Sequence, residues 1–184
     1  MIDLEAVIQH FGPNALRNLI KDYAEVDAQA IKSLNDKQKQ GRHEAILNWL
    51  HYYRVLRGIK LTFHHSIADV IIQWVDNRAP KQRLITVQAI TEAHTQLEEQ
   101  IAAKYLKESK KNRHFISLAS KALWLCYPYD IPIYDGYAQT ALYMISSFVA
   151  NIPKPLIETM EYGEFVYVWK TLYERCYPHI QAIN

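Results

Sequence analysis

Residues 117–135 read SLASKALWLCYPYDIPIYD, and this stretch decides the fold. Its first part has the spacing of a helix that is apolar nearly all round, because Ile116, Leu118, Ala119, Ala122, Leu123, Leu125 and Cys126 cover most of the circumference. The polar exceptions, Ser117, Ser120 and Lys121, fall at i, i+3, i+4 and share one stripe. A helix of this kind is buried, and a buried ammonium needs a partner or a lowered pKa. Pro128 and Pro132 end the helix and impose an extended segment, and Asp135-Gly136 then opens the next apolar run, so Asp135 is delivered to a helix N-cap. Asp135 is thus the nearest candidate partner for Lys121 in sequence.

Outward from this stretch the chain reads as helices throughout. It has five glycines in 184 residues and few turn-rich segments. Leu4 to Phe11 makes a first short helix closed by Gly12-Pro13. Asn14 caps a second, with Leu16, Leu19, Ile20 and Tyr23 at helical spacing. Lys32 to Arg42 is polar and reads as a helix end plus a surface loop. Ile46, Leu47, Leu50, Tyr53 and Leu56 mark a helix up to Gly58, and Phe63, Ile67, Val70, Ile71 and Trp74 mark another that ends near Asn77. Thr86 caps a long helix that buries Ile90, Leu97, Ile101 and Tyr105. Tyr137 to Val149 is stopped by Pro153 and Pro155, and Tyr162 to Tyr177 closes the chain. Only IPIY at 131–134 has strand character, and its prolines argue against pairing. The expected architecture is an all-α, multi-helix domain spanning 1–184, built as one body or as two lobes around a cleft with a boundary near 78–86.

Composition sets the surroundings. Lys and Arg total 21 against 19 Asp and Glu, so net charge alone does not call for a polyanionic partner. Cys126 and Cys176 show no metal-ligand spacing, which fits a reduced cytoplasm and excludes a structural zinc or iron–sulfur site. Neither a secretory signal nor a membrane span is legible. A cytoplasmic protein without cofactor, metal or membrane partner is expected, and the oligomeric state is not legible. His64 and His65 are adjacent and point in different directions on a helix, so they make no metal pair. Glu158, Glu161 and Glu164 form a charged patch with no evident chemistry.

Charge is concentrated locally in KYLKESKKNRHF, residues 104–115, where Lys104, Lys107, Lys110, Lys111 and Arg113 face the single acid Glu108. The helix beginning just after it offers unpaired backbone N–H groups, so phosphate binding by Lys107, Lys110, Lys111, Arg113, His114 and Ser117 is one reading. A solvated loop is the other. Tyr127, Tyr129, Tyr134 and Tyr137 gather around the turn; with Trp124 they either stack on a base or wedge helices together.

The segment Ser117 to Leu142, with PIYDGYAQTAL at its end, resembles the core of the helix-hairpin-helix DNA glycosylase superfamily, in particular its adenine glycosylase branch. The resemblance covers roughly a seventh of the chain. It implies a glycosylase-like helical fold, DNA as partner, and Asp135 as the catalytic carboxylate that stabilises positive charge on the sugar during excision of a modified or mispaired base. The base would be flipped into a pocket formed by Trp124, Tyr134 and Tyr137. The sequence departs from the superfamily in three respects. Its Gly-rich hairpin is replaced by Asn112-Arg113-His114-Phe115, its iron–sulfur loop is missing, and Lys121 lies one turn beyond the position of the lysine nucleophile. A divergent group of bacterial helical proteins carries a similar Ser-Lys pattern followed by PIYD. Two readings of Lys121 and Asp135 follow: a catalytic pair in a monofunctional DNA repair hydrolase, or a structural ion pair across a tight corner. In the second, the chain is a helical nucleic-acid-binding or protein-interaction module that retains the fold, in a mobile-element or phage-defence setting.

Overall fold

A computed structural model describes residues 3–36, 41–77, 83–110, 113–149, 152–153 and 160–182. The described residues are helical, with no strand among them, in the order α1 (Leu4–Asp22), α2 (Ala28–Asn35), α3 (Arg42–Tyr52), α4 (His64–Asn77), α5 (Val87–Ser109), α6 (Ile116–Cys126), α7 (Gly136–Phe148) and α8 (Tyr162–Gln181). None of these helices is long and apolar enough to cross a membrane.

The chain divides into two compact units. A central unit holds Ala24–Ile133, and a terminal unit combines Met1–Tyr23 with Tyr134–Asn184. The segment 78–86 lies inside the central unit, with 78–82 outside the described residues.

In the central unit each helix packs on the next from α2 to α6, and α6 returns to α2. The ring closes around Leu34, Ile46, Leu50, Ile67, Ile71, Ile90, Leu97, Ile101, Leu123 and Leu125, all withdrawn from water. Apolar spacing made these helices legible. Thr86 caps α5 by accepting the Ala89 N–H at 3.1 Å, and Ile90, Leu97, Ile101 and Tyr105 are buried as the 3.6-residue period requires. The α6 pattern also holds, for Leu118 through Leu123 and Leu125 are all buried, Ser120 and Lys121 included.

Two polar anchors in this unit escaped the sequence reading. Arg42, placed at the end of a surface loop, starts α3 and is buried. Its guanidinium forms a two-pronged pair with Asp76, Nη1 to Oδ2 and Nη2 to Oδ1 both at 2.9 Å, tying the start of α3 to the end of α4. Asp27 ends a π-helical segment, Tyr23–Asp27, and is only 2% exposed. Its Oδ1 accepts from Trp49 Nε1 at 2.9 Å and Tyr53 Oη at 2.8 Å.

The terminal unit packs α1 and α7 on α8, whose Tyr162, Phe165, Val166, Val168 and Leu172 are buried. Here the expectation of two short N-terminal helices is corrected: α1 runs unbroken through Gly12-Pro13. Pro13 removes one N–H from the helix ladder, but Gln9, four residues back, is exposed and its carbonyl can turn to water. Asn14 caps nothing; its Oδ1 accepts from Arg17 Nη1 at 3.3 Å. Leu16, Leu19 and Ile20 are exposed, Leu19 by 58%.

The helix expected to reach Gly58 ends at Tyr52. Arg54, at φ 53°, breaks it, and successive turns then carry the chain to Ile59 while Leu56 stays buried.

Replacing Asp27 by Ala leaves the Trp49 indole N–H buried without this acceptor, which should cost about 1–3 kcal/mol. Asp27→Asn keeps an acceptor oxygen and should cost less. Urea unfolding midpoints of the two variants measure the difference.

Candidate functional site

The extended segment 131–135 ends as expected on Asp135, the N-cap of α7. Its backbone is extended, at φ −153° and ψ 174°, and its Oδ1 accepts the Ala138 N–H at 2.9 Å. That bond satisfies one of the donors left unpaired at a helix start. Asp130, the other carboxylate of the turn, is committed to structure: it pairs with Arg83 and accepts the Leu84 N–H at 3.3 Å.

The two tyrosines beside Asp135 divide. Tyr137 is 91% exposed. Tyr134 packs edge-on against Phe165 and Tyr162 and donates its hydroxyl to the Met160 carbonyl at 3.2 Å. Burial pushes its phenol pKa above the ordinary value.

Lys121 and Ser117 belong to the central unit, Asp135 and both tyrosines to the terminal one. On α6, Lys121 is 7% exposed and its Nζ donates to Ser117 Oγ at 3.4 Å. Ser120 Oγ donates to the Ser117 carbonyl at 3.0 Å. The polar stripe is therefore internally bonded. Trp124, half-buried, lies parallel to Trp49 with ring centroids 6.2 Å apart.

The start of α6 is tied to α5. Its N-cap residue, Phe115, brings no side-chain cap; Glu98 of α5 supplies one, accepting the Phe115 N–H at 3.0 Å. One turn earlier, His94 bonds through Nε2 to the Ile116 carbonyl at 3.0 Å. A carbonyl only accepts, so Nε2 carries the proton. Burial lowers the His94 pKa below its ordinary value against the raising effects of the Ile116 hydrogen bond and the Glu98 charge. Neither residue stood out in the sequence, although their i, i+4 spacing on a predicted helix places both on one face.

Along the basic edge, Lys107, Lys110, Arg113 and His114 are all exposed, and Lys111 lies outside the described residues. Lys104 neutralises Glu108 at 2.9 Å, and Ser66 donates to the same carboxylate. His114 Nδ1 is 3.4 Å from Glu98. Arg113 spends its guanidinium on backbone, donating to the Gly58 carbonyl at 2.9 Å and the Arg57 carbonyl at 3.3 Å.

Of the adjacent histidines, His64 is buried and reaches the Ile59 carbonyl through Nε2 at 3.0 Å, while His65 is exposed and stacks on His43. No group of three or more histidine, cysteine or acidic residues suited to a metal ion occurs among the described residues. Compared with known proteins, the chain matches no family model, no curated protein and no solved structure.

The His94 shift has a pH consequence. Between its depressed folded pKa and the ordinary 6.5, the unfolded chain binds more protons than the folded one, so stability falls as pH is lowered through that window. His94→Gln retains a donor for the Ile116 carbonyl without titrating. Its unfolding midpoint should therefore change less than that of the unaltered protein between pH 7.5 and 5, as a series of urea titrations would record.

Proposed function

We propose that this protein is a monofunctional DNA glycosylase-like hydrolase that removes a modified or mispaired base, with Asp135 as the catalytic carboxylate. The supporting observation is the placement of Asp135, held by the Ala138 amide at the start of α7 after the extended 131–135 segment. A carboxylate fixed there sits at the positive end of a helix, and its side chain is pre-oriented by the cap. In the proposed step the sugar C1′–N bond breaks and the base leaves with the bonding electrons. Positive charge on the sugar is stabilised by Asp135, a water oxygen then adds to C1′ and loses a proton to solvent, and the departing base nitrogen takes up a proton from solvent in exchange. Tyr137, exposed one residue past Gly136, is the aromatic ring available for stacking on an extruded base. Tyr134 serves packing in this reading, since its ring and hydroxyl are both engaged. Lys107 and Lys110 would hold the phosphate backbone.

A second reading, a helical nucleic-acid-binding or protein-interaction module without base excision, is favoured by Glu98. Its carboxylate takes the Phe115 N–H at the N-cap of α6 and places a negative charge beside the helix start.

Incubation with a panel of duplexes bearing damaged, modified or mispaired bases separates the two. The enzyme reading expects an abasic site without strand cleavage in at least one duplex. Asp135→Asn should abolish that product with the fold intact, as an unchanged helical circular-dichroism spectrum would show, because Asn is as good an N-cap as Asp. Lys121→Gln should leave the product monofunctional. A borohydride-trapped protein–DNA adduct that disappears in Lys121→Gln would instead make the lysine amine the nucleophile and overturn the assignment of roles. Release of no base from any duplex would leave the module reading.

A further inference from the structure

The ends of four helices meet at one end of the central unit. The tip of α3, the start of α4, the tip of α5 and the start of α6 are joined there by side chains distant in sequence. Phe63 stands edge-on to Tyr105, and Tyr105 edge-on to Phe115. Ser66 donates to Glu108. Arg113 reaches across to the Arg57 and Gly58 carbonyls, and its guanidinium lies 5.6 Å from the centre of the Phe115 ring. Gly58, at φ 75°, lets the turn pass beneath that guanidinium, which a β-carbon there would approach to 3.7 Å.

This docking brings a second group of cations, Arg54, Arg57 and Lys60, to the edge that carries Lys107 and Lys110. All five are exposed. The segment 51–66 contains no acidic residue, and among the described residues Arg54, Arg57, Lys60 and Lys110 form no ion pair. Glu108 is already matched by Lys104.

The backbone adds an independent observation. Among the described residues, the non-glycine positions with positive φ are Arg54, at 53°, and Lys110, at 58°. Glycine is the residue that adopts this conformation without strain, and Lys110 occupies a helix C-terminal position where glycine is preferred. Both strained positions carry an exposed cation, on the two segments that Arg113 joins, and strain retained in this way points to a function for the side chain.

We infer that the turn 54–60 and the edge 107–110 form one composite binding surface for the phosphate backbone of duplex DNA. Arg113 is its positioning residue, setting the turn against the edge without itself contacting phosphate. The inference rests on the nucleic-acid reading of the proposed function and extends it to Arg54, Arg57 and Lys60.

The test is anisotropy titration of a short fluorescent DNA duplex over a salt series, with the full chain. A turn variant (Arg54→Gly, Arg57→Gln, Lys60→Gln) and an edge variant (Lys107→Gln, Lys110→Gly) should each lower the log–log salt slope by about 0.9 per cation removed. Arg113→Lys keeps the charge and loses the two-pronged contact, so its slope should fall toward that of the turn variant. A phosphate-contacting Arg113 would instead leave it unchanged and overturn the positioning role. Arg54→Gly alone should weaken binding while the thermal midpoint holds or rises. A falling midpoint would mean that Arg54 serves the end of α3, which overturns the inference. If the turn variant binds like the unaltered protein while the edge variant weakens, the composite surface fails and the DNA reading stands. If the unaltered protein binds no duplex even at low salt, the DNA reading itself fails and takes the surface with it. Binding to phosphatidylserine vesicles in place of duplex would overturn both in favour of a membrane partner.

Discussion

The burial of α6 is the constraint from which the central unit follows, because a helix without a continuous polar face has to be surrounded. Leu118, Leu123 and Leu125 are each withdrawn from water, worth roughly 1.5–3 kcal/mol apiece, and no single neighbour can cover positions spread around the helix. Flanking α6 with α5 on one side and α2 on the other closes the ring. The helix start also needs partners, because Phe115 is buried there and its side chain provides no cap. Glu98 meets the Phe115 N–H, and His94 holds the adjoining Ile116 carbonyl one turn away. Two consecutive backbone positions of α6 are thereby locked to two consecutive turns of α5, which sets the register between the helices. Apolar packing alone would leave that register loosely specified.

The same end of the unit shows how a surface is assembled from separate segments. Aromatic edge contacts among Phe63, Tyr105 and Phe115 fix the helix ends, and Arg113 then fastens a turn more than fifty residues away in sequence. Each of these partners is local to a different helix boundary. Positive charge already concentrated in residues 104–115 is tied through Arg113 to the turn that carries Arg54, Arg57 and Lys60, and a net charge of +2 says little about such local distribution.

Legibility in the sequence tracked the range of the interaction responsible. The helices marked by period or cap were readable: α4, α5, α6 and the start of α7 stand where Ile67, Thr86, the stripe at Ser117 and Asp135 placed them. Failures came where a local signal was outweighed by its setting. Pro13 reads as a breaker, yet α1 passes through it because an exposed helix can hand the orphaned carbonyl to water. Arg42 reads as loop, yet it is buried because Asp76 lies thirty-four residues further on. The two-lobe alternative put its boundary near 78–86, and the actual division was missed because the terminal unit is discontinuous, with α1 packing on α8 from the other end of the chain. At the candidate site the same distinction holds. Asp135 as a cap is a local property and was readable, whereas the bonds of Glu98, His94 and Arg113 depend on partners 17 to 56 residues away.

The N-cap geometry of Asp135 also bears on which chemistry suits it. The Ala138 amide fixes one oxygen at the start of α7, where the helix presents partial positive charge, so one carboxylate oxygen has a set position. Such a group can stabilise positive charge developing on a neighbouring sugar without moving. The cap therefore suits Asp135 to electrostatic stabilisation in the proposed hydrolysis. Because an amide caps a helix as well as a carboxylate does, Asp135→Asn removes the charge and keeps the cap, and a chemical role for Asp135 can be distinguished from the capping one.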